Sequence, residues 1–139
     1  MAVSPANPEH TEEELLYQLT DSGAKAIITI PNLLPVAVVA GRKANIPSER
    51  IILFKSAHDK YRHYTSLMSK KHAESTRKKI KPTNLAFLPY SSGTTGLAKG
   101  VMLTHGNLVA NILQFSAIES AEMHWTEDRM VSFLPFFSI

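Results

Sequence analysis

The apolar positions near the start of the chain recur with a helical period. Thr11-Glu12-Glu13-Glu14 places a hydroxyl residue three positions ahead of a glutamate, the pattern of a capping box. Leu15, Leu16 and Leu19 follow as one stripe, so residues 12–22 are expected to form an amphipathic helix closed by Gly23. Ala26 to Ile30 is a short apolar run of the buried-strand type. Residues 32–44 read as a second helix, with Pro35 in the first turn, where proline is tolerated. Arg50 to Phe54 reads as a second strand, and residues 62–72 carry a weak helical pattern. Leu85 to Pro89 and Gly100 to Leu103 read as strands on either side of a polar loop. His105 to Met123 reads as a long helix with Leu108, Ile112, Phe115 and Ile118 near one face, and Arg129 to Phe133 as a last strand. Strands alternating with helices predict an α/β arrangement with a largely parallel sheet flanked by helices.

Charge changes this picture at one place. Residues 55–81 hold nine lysines and arginines against two acids, a local net of +7, whereas the whole chain carries only +3. The stretch is expected to be a solvated basic surface linker. A polyanion-binding segment is the alternative, although tyrosines occur only at its start, at Tyr61 and Tyr64, and no nucleic acid is expected as partner. His58, His63 and His72 fit no zinc spacing and have no acidic cluster beside them, so no metal site is expected. Over 139 residues there is no cysteine, which excludes a disulfide framework, a thiolate metal site and a cysteine nucleophile. No basic-then-apolar leader opens the chain, and no apolar run approaches the roughly 18 residues of a membrane span.

The candidate chemistry lies between the two strands that enclose the polar loop. Ser91, Ser92, Gly93, Thr94, Thr95, Gly96 and Lys99 put four hydroxyls, two glycines and a cation within nine positions. Glycines let the backbone approach a ligand closely, and successive N–H groups in such turns converge on anions. Hydroxyls and an ammonium add donors, the charged one forming the stronger bond. The Walker pattern fails, because Ala98 precedes Lys99 and Gly100 follows it. A plain solvent-exposed Gly/Ser/Thr turn is the competing reading of the composition.

The order of residues from Ser91 to Gly100 resembles the phosphate loop of the adenylate-forming enzymes, a family that includes acyl-CoA synthetases, 4-coumarate–CoA ligases and luciferases. Ala98 stands where proline is commonest. Val101 to Leu108, Ser4 to Pro8, Glu14 to Leu19, Asp21 to Ile27 and Leu134 to Phe137 also resemble segments of that family, with the wording of the acyl-CoA synthetase and coumarate-ligase branch.

The resemblance implies that residues 1–139 are an internal fragment of the AMP-binding N-terminal domain. It implies activation of a carboxylic acid by ATP as an acyl adenylate, then thioester formation with coenzyme A, with Mg²⁺ on the nucleotide. Ser91, Ser92, Gly93, Thr94, Thr95, Gly96 and Lys99 would hold the β- and γ-phosphates, with no catalytic acid or base in this stretch. Phe137 and Ser138 would border the substrate pocket. Ser138 stands where coumarate-ligase-type members usually carry histidine, which puts carboxylate positioning in question. The family's adenine-binding, ribose-binding and hinge segments and its catalytic lysine have no counterpart in the sequence. The chain alone is therefore expected not to adenylate, and a non-catalytic remnant with a phosphate-binding loop is the alternative. An intracellular location, cytoplasmic or peroxisomal, goes with the resemblance.

Overall fold

The computed structural model describes residues 1–55, 60–68, 79–91, 97–119, 123–124 and 126–129. The chain divides into two units, one of Ala6–Arg77 and one of Met1–Pro5 with Lys78–Ile139.

In the first unit α1 spans Glu12–Asp21. The expected capping box is complete. The Glu14 carboxylate accepts from the Thr11 N–H at 2.8 Å and from its hydroxyl at 2.9 Å, and the Glu14 N–H donates back to the Thr11 hydroxyl oxygen at 3.3 Å. The helix ends as expected at Gly23, which sits at φ +61. The Gly23 and Ala24 N–H groups return to the carbonyls of Thr20 and Leu19, the paired bonds of a Schellman closure. Helix α2, Leu34–Lys43, follows a 3-10 turn at Pro31–Leu33 and keeps Pro35 at its start. It closes in the same way. Asn45 takes the left-handed position at φ 57, and the N–H groups of Asn45 and Ile46 reach Arg42 and Gly41. Asparagine is among the few residues beside glycine that adopt this conformation readily.

Strands β1 (Ile27–Thr29), β2 (Ile51–Leu53) and β3 (Arg62–His63) form a parallel sheet in that order, with Ile27 opposite Ile51 and Leu53 opposite His63. α2 is the crossover between β1 and β2. Its buried face is Ala37, Ala40 and Gly41, small enough to bring the helix axis close to the sheet. A Cβ on Gly41 would lie 3.0 Å from Ile27 Cδ1 and 3.6 Å from Ile51 Cδ1. Leu19 of α1, with Leu15 and Leu16 half-buried beside it, and Ile46 complete this core. Ile51 and Leu53 are fully enclosed, each removing an apolar side chain worth about 1.5–3 kcal/mol from water.

The weak helix expected over residues 62–72 is not present in the described part. Residues 62–63 are β3, and Tyr64–Leu67 form a 3-10 turn, while residues 69–72 lie outside the described residues. Pairing with β2 and the Tyr64 ring stacked on Phe54, centroids 4.4 Å apart and planes within 2°, outweigh a marginal local preference. Much of the basic stretch 55–81, including residues 56–59 and 69–78, also lies outside the description.

In the second unit one irregular antiparallel hairpin runs from Leu85 to Thr104. β4 (Leu85–Phe87) pairs with β7 (Leu103–Thr104) across a register shift, and β5 (Tyr90–Ser91) pairs with β6 (Lys99–Gly100). The Val101 N–H donates to the Pro89 carbonyl at 2.8 Å between the two ladders. Val3 adds a parallel bridge to Phe87, with its N–H on the Ala86 carbonyl and its carbonyl accepting from Leu88, and the Ser4 hydroxyl donates to the Leu88 carbonyl at 2.7 Å. Helix α3, His105–Glu119, follows β7. None of its residues is buried, and Val109, Ile112, Leu113, Phe115 and Ile118 are exposed. The last expected strand falls almost wholly on residues 130–133, outside the description. Among the described residues no helix is long and apolar enough to cross a membrane.

Candidate functional site

The hairpin presents the ends of the candidate loop. Ser91 and Lys99 are register partners across β5 and β6. Side chains directly opposite one another in an antiparallel pair share a face, with Cβ atoms about 4.5–5.5 Å apart. The Ser91 hydroxyl and the Lys99 ammonium stem thus start from one patch, and both residues are exposed. Ser92, Gly93, Thr94, Thr95 and Gly96 lie outside the described residues, as do Phe137 and Ser138.

The next pair inward is Tyr90 and Gly100, whose side-chain positions belong to the opposite face of the ribbon. The Tyr90 ring covers Gly100: a Cβ there would lie 3.1 Å from Tyr90 Cζ, 3.3 Å from Tyr90 Cε2 and 3.2 Å from Leu88 Cδ1. Beneath this pair Pro89 is fully buried. By residue type alone Tyr90 and Gly100 are only flanks of the loop. The register places them one step inside Ser91 and Lys99, a relationship that residue types do not disclose.

The start of α3 is a second place where an anion could be held, since helix N-termini offer unpaired N–H groups. Here the first three are occupied. The His105 N–H donates to the Asn84 carbonyl at 3.0 Å and the Gly106 N–H to the Pro82 carbonyl at 2.8 Å. The Asn107 N–H donates to the Thr104 hydroxyl at 3.2 Å. The turn that supplies these carbonyls is itself fixed, with the Lys81 N–H on the Asn84 side-chain oxygen and the Asn84 N–H on the Lys81 carbonyl. His105 is therefore held through its backbone, next to the Thr104 cap, consistent with a local role.

An exposed hydroxyl and an exposed ammonium on paired strands can hold and orient negative charge through charge-assisted hydrogen bonds. Among the described residues no three His, Asp or Glu side chains gather as a metal would require.

The sequence pattern of the AMP-binding enzymes matches residues 1–139. A 4-coumarate-CoA ligase of Narcissus pseudonarcissus is 37% identical over 96% of this chain, and the match covers 24% of that protein. A long-chain-fatty-acid–CoA ligase of Escherichia coli O157:H7 is 32% identical over the whole chain and 29% of its own length. Among solved structures, a long-chain-fatty-acid-CoA ligase from Archaeoglobus fulgidus superposes with a TM-score of 0.72 at 30% identity, covering 88% of this chain and 23% of that one. An ATP-bound MatB from Rhodopseudomonas palustris gives a TM-score of 0.65 at 27% identity, covering 84% of this chain and 22% of that one. The chain thus spans about a quarter of the length of the curated relatives it matches.

Proposed function

The chain belongs to the AMP-binding enzyme family, and from that membership we propose that it serves the ATP-dependent activation of a carboxylic acid, with coenzyme A as the acceptor of the acyl group. In the first half-reaction a carboxylate oxygen bonds to the α-phosphorus of ATP and pyrophosphate leaves. In the second the thiol sulfur bonds to the acyl carbon, its proton is released, and AMP leaves. The obstacle in the first step is an anion approaching a polyanion. Fixed donors and cations lower that barrier by stabilising the charge that collects on the departing group.

The observation that carries this reading is the pairing of Ser91 with Lys99 on an exposed face at the root of the loop. The donor set fits a polyphosphate. Ser91 and Lys99, with Ser92, Gly93, Thr94, Thr95 and Gly96, would hold the β- and γ-phosphates and orient the leaving pyrophosphate. Magnesium supplies charge neutralisation when it accompanies the nucleotide, and a threonine hydroxyl of Thr94 or Thr95 would stand near it. Phe137 and Ser138 would border the acyl pocket, and Ser138 offers a hydroxyl for a carboxylate but no charge.

Titration of the isotope-labelled chain with pyrophosphate tests the reading. Amide signals of Ser91, Lys99 and Gly100 should shift, and Lys99→Ala should weaken binding at least about tenfold, the loss expected for one charged hydrogen bond. Unchanged signals, or equal binding by the variant, would reject it. Release of pyrophosphate from ATP in the presence of carboxylic acids and coenzyme A would extend the reading from binding to ligation by this chain.

A further inference from the structure

We infer that Tyr90 and Gly100 are positioning residues: the ring laid over the glycine locks the hairpin register that sets Ser91 opposite Lys99. The inference rests on the polyphosphate reading above and names the part of the fold that makes that site.

A two-residue ladder is a weak specification of register. Among the described residues, pairing of β5 with β6 covers Tyr90–Ser91 and Lys99–Gly100, and the Val101 to Pro89 hydrogen bond is the next link inward. A slip of one residue would send the Lys99 side chain to the other face of the ribbon, because side chains alternate along a strand. The Val101 to Pro89 bond and the β4/β7 ladder tie the hairpin further in, and the Tyr90–Gly100 pair, next to the donors, has the geometry to choose the register there.

Glycine weakens a strand because it leaves its backbone uncovered, and an aromatic ring across the strand restores that cover. Tyr90 Cζ and Cε2 lie 3.1 and 3.3 Å from where a Gly100 Cβ would stand, with Leu88 Cδ1 at 3.2 Å on the same spot. A Cβ at that point would make the ring and Leu88 give by a few tenths of an ångström. In a slipped register the ring would face Lys99 or Val101, each of which carries a side chain there. The lock is thus selective for one alignment, and that alignment puts the hydroxyl and the ammonium on the same face.

Four variants and two readouts test this. Tyr90→Phe keeps the ring, Tyr90→Leu removes it, Gly100→Ala displaces it, and a fourth variant joins the last two. Cross-strand nuclear Overhauser effects between residues 91 and 99 report the register without ligand, and pyrophosphate titration reports the site. Tyr90→Phe, which keeps the ring, should retain the 91–99 Overhauser effects. In Tyr90→Leu and in Gly100→Ala the 91–99 Overhauser effects should vanish and pyrophosphate binding should weaken about five- to tenfold, with little change in thermal midpoint. The double variant should be no worse than either single one, since the same ring-over-glycine packing is removed in all three. Persistence of the 91–99 Overhauser effects in Tyr90→Leu and Gly100→Ala would overturn the lock, even if Lys99→Ala still abolished binding. Their disappearance in the variants, with no pyrophosphate binding by the parent, would overturn the polyphosphate role and leave the register effect as a fact of the hairpin alone.

Discussion

Thr104 and Asn107 hold each other at the junction of β7 and α3. The Asn107 side-chain oxygen accepts from the Thr104 N–H at 2.9 Å and from its hydroxyl at 2.8 Å, while the Asn107 N–H donates to the Thr104 hydroxyl at 3.2 Å. It is the Thr11–Glu14 arrangement with an amide in place of a carboxylate. Because no residue of α3 is buried, local bonds carry more of its stability than packing does. Thr104→Ala should cost about 1 kcal/mol in urea unfolding, with early exchange of the first-turn amides, and Thr104→Ser should recover most of it.

The pH response of the other cap has a defined sign. The Thr11 backbone N–H first, and its hydroxyl second, hold the Glu14 carboxyl below the usual glutamate range. A carboxylate with a depressed folded value stabilises the fold above its unfolded pKa and loses that contribution as pH falls through the folded one. Acidification through and below the ordinary glutamate range should therefore loosen the first turn of α1. Glu14→Gln should flatten that acid limb when helicity is followed by circular dichroism. An identical acid limb in both proteins would count against the cap.

The two Schellman closures differ in their left-handed residue, and this predicts opposite responses. A Cβ on Gly23 meets nothing within 4 Å, so the cost of Gly23→Ala is purely conformational, about 1–2 kcal/mol. Asn45→Gly, at φ 57, relieves a smaller strain and should be close to neutral or slightly stabilising. Denaturant midpoints of the two variants decide it.

Core truncation in the Ala6–Arg77 unit should be severe. Ile51 is 2% exposed and packs where α2 approaches the sheet. Ile51→Ala leaves a cavity that the small residues Ala37 and Ala40 cannot fill, at a cost of about 2–5 kcal/mol. Equilibrium unfolding measures it directly, and a loss below about 1 kcal/mol would show that the helix collapses onto the gap.

The elements that were legible in the sequence are those fixed by local chemistry. Thr11 and Glu14 announce α1, Gly23 its end, Pro35 the first turn of α2, and the run around Ile51 a strand. What was not legible is non-local. Arg62 and His63 pair with Ile52 and Leu53, and no local periodicity encodes that ladder. Val3 bridges Phe87, far along the chain. The strand expected at 85–89 stops at Phe87, ahead of Pro89, which has no N–H to give to a ladder, and the one expected at 100–103 is divided between β6 and β7. For the site, the residue types of Ser91 and Lys99 pointed to anion binding, but their juxtaposition follows from the hairpin register, and the part played by Tyr90 is visible only once the ring is seen over Gly100.

Helix α3 has a thermodynamic consequence of its own. Its apolar side chains, up to Ile118 at 75% exposure, are already hydrated in the folded chain. Unfolding this helix adds little further apolar surface to water, and that surface is what raises the heat capacity of an unfolded chain. The increment per residue should therefore fall below the usual ~12–15 cal/mol/K. A smaller increment flattens the stability curve, and calorimetry of this chain should read it directly as a small heat-capacity step on unfolding.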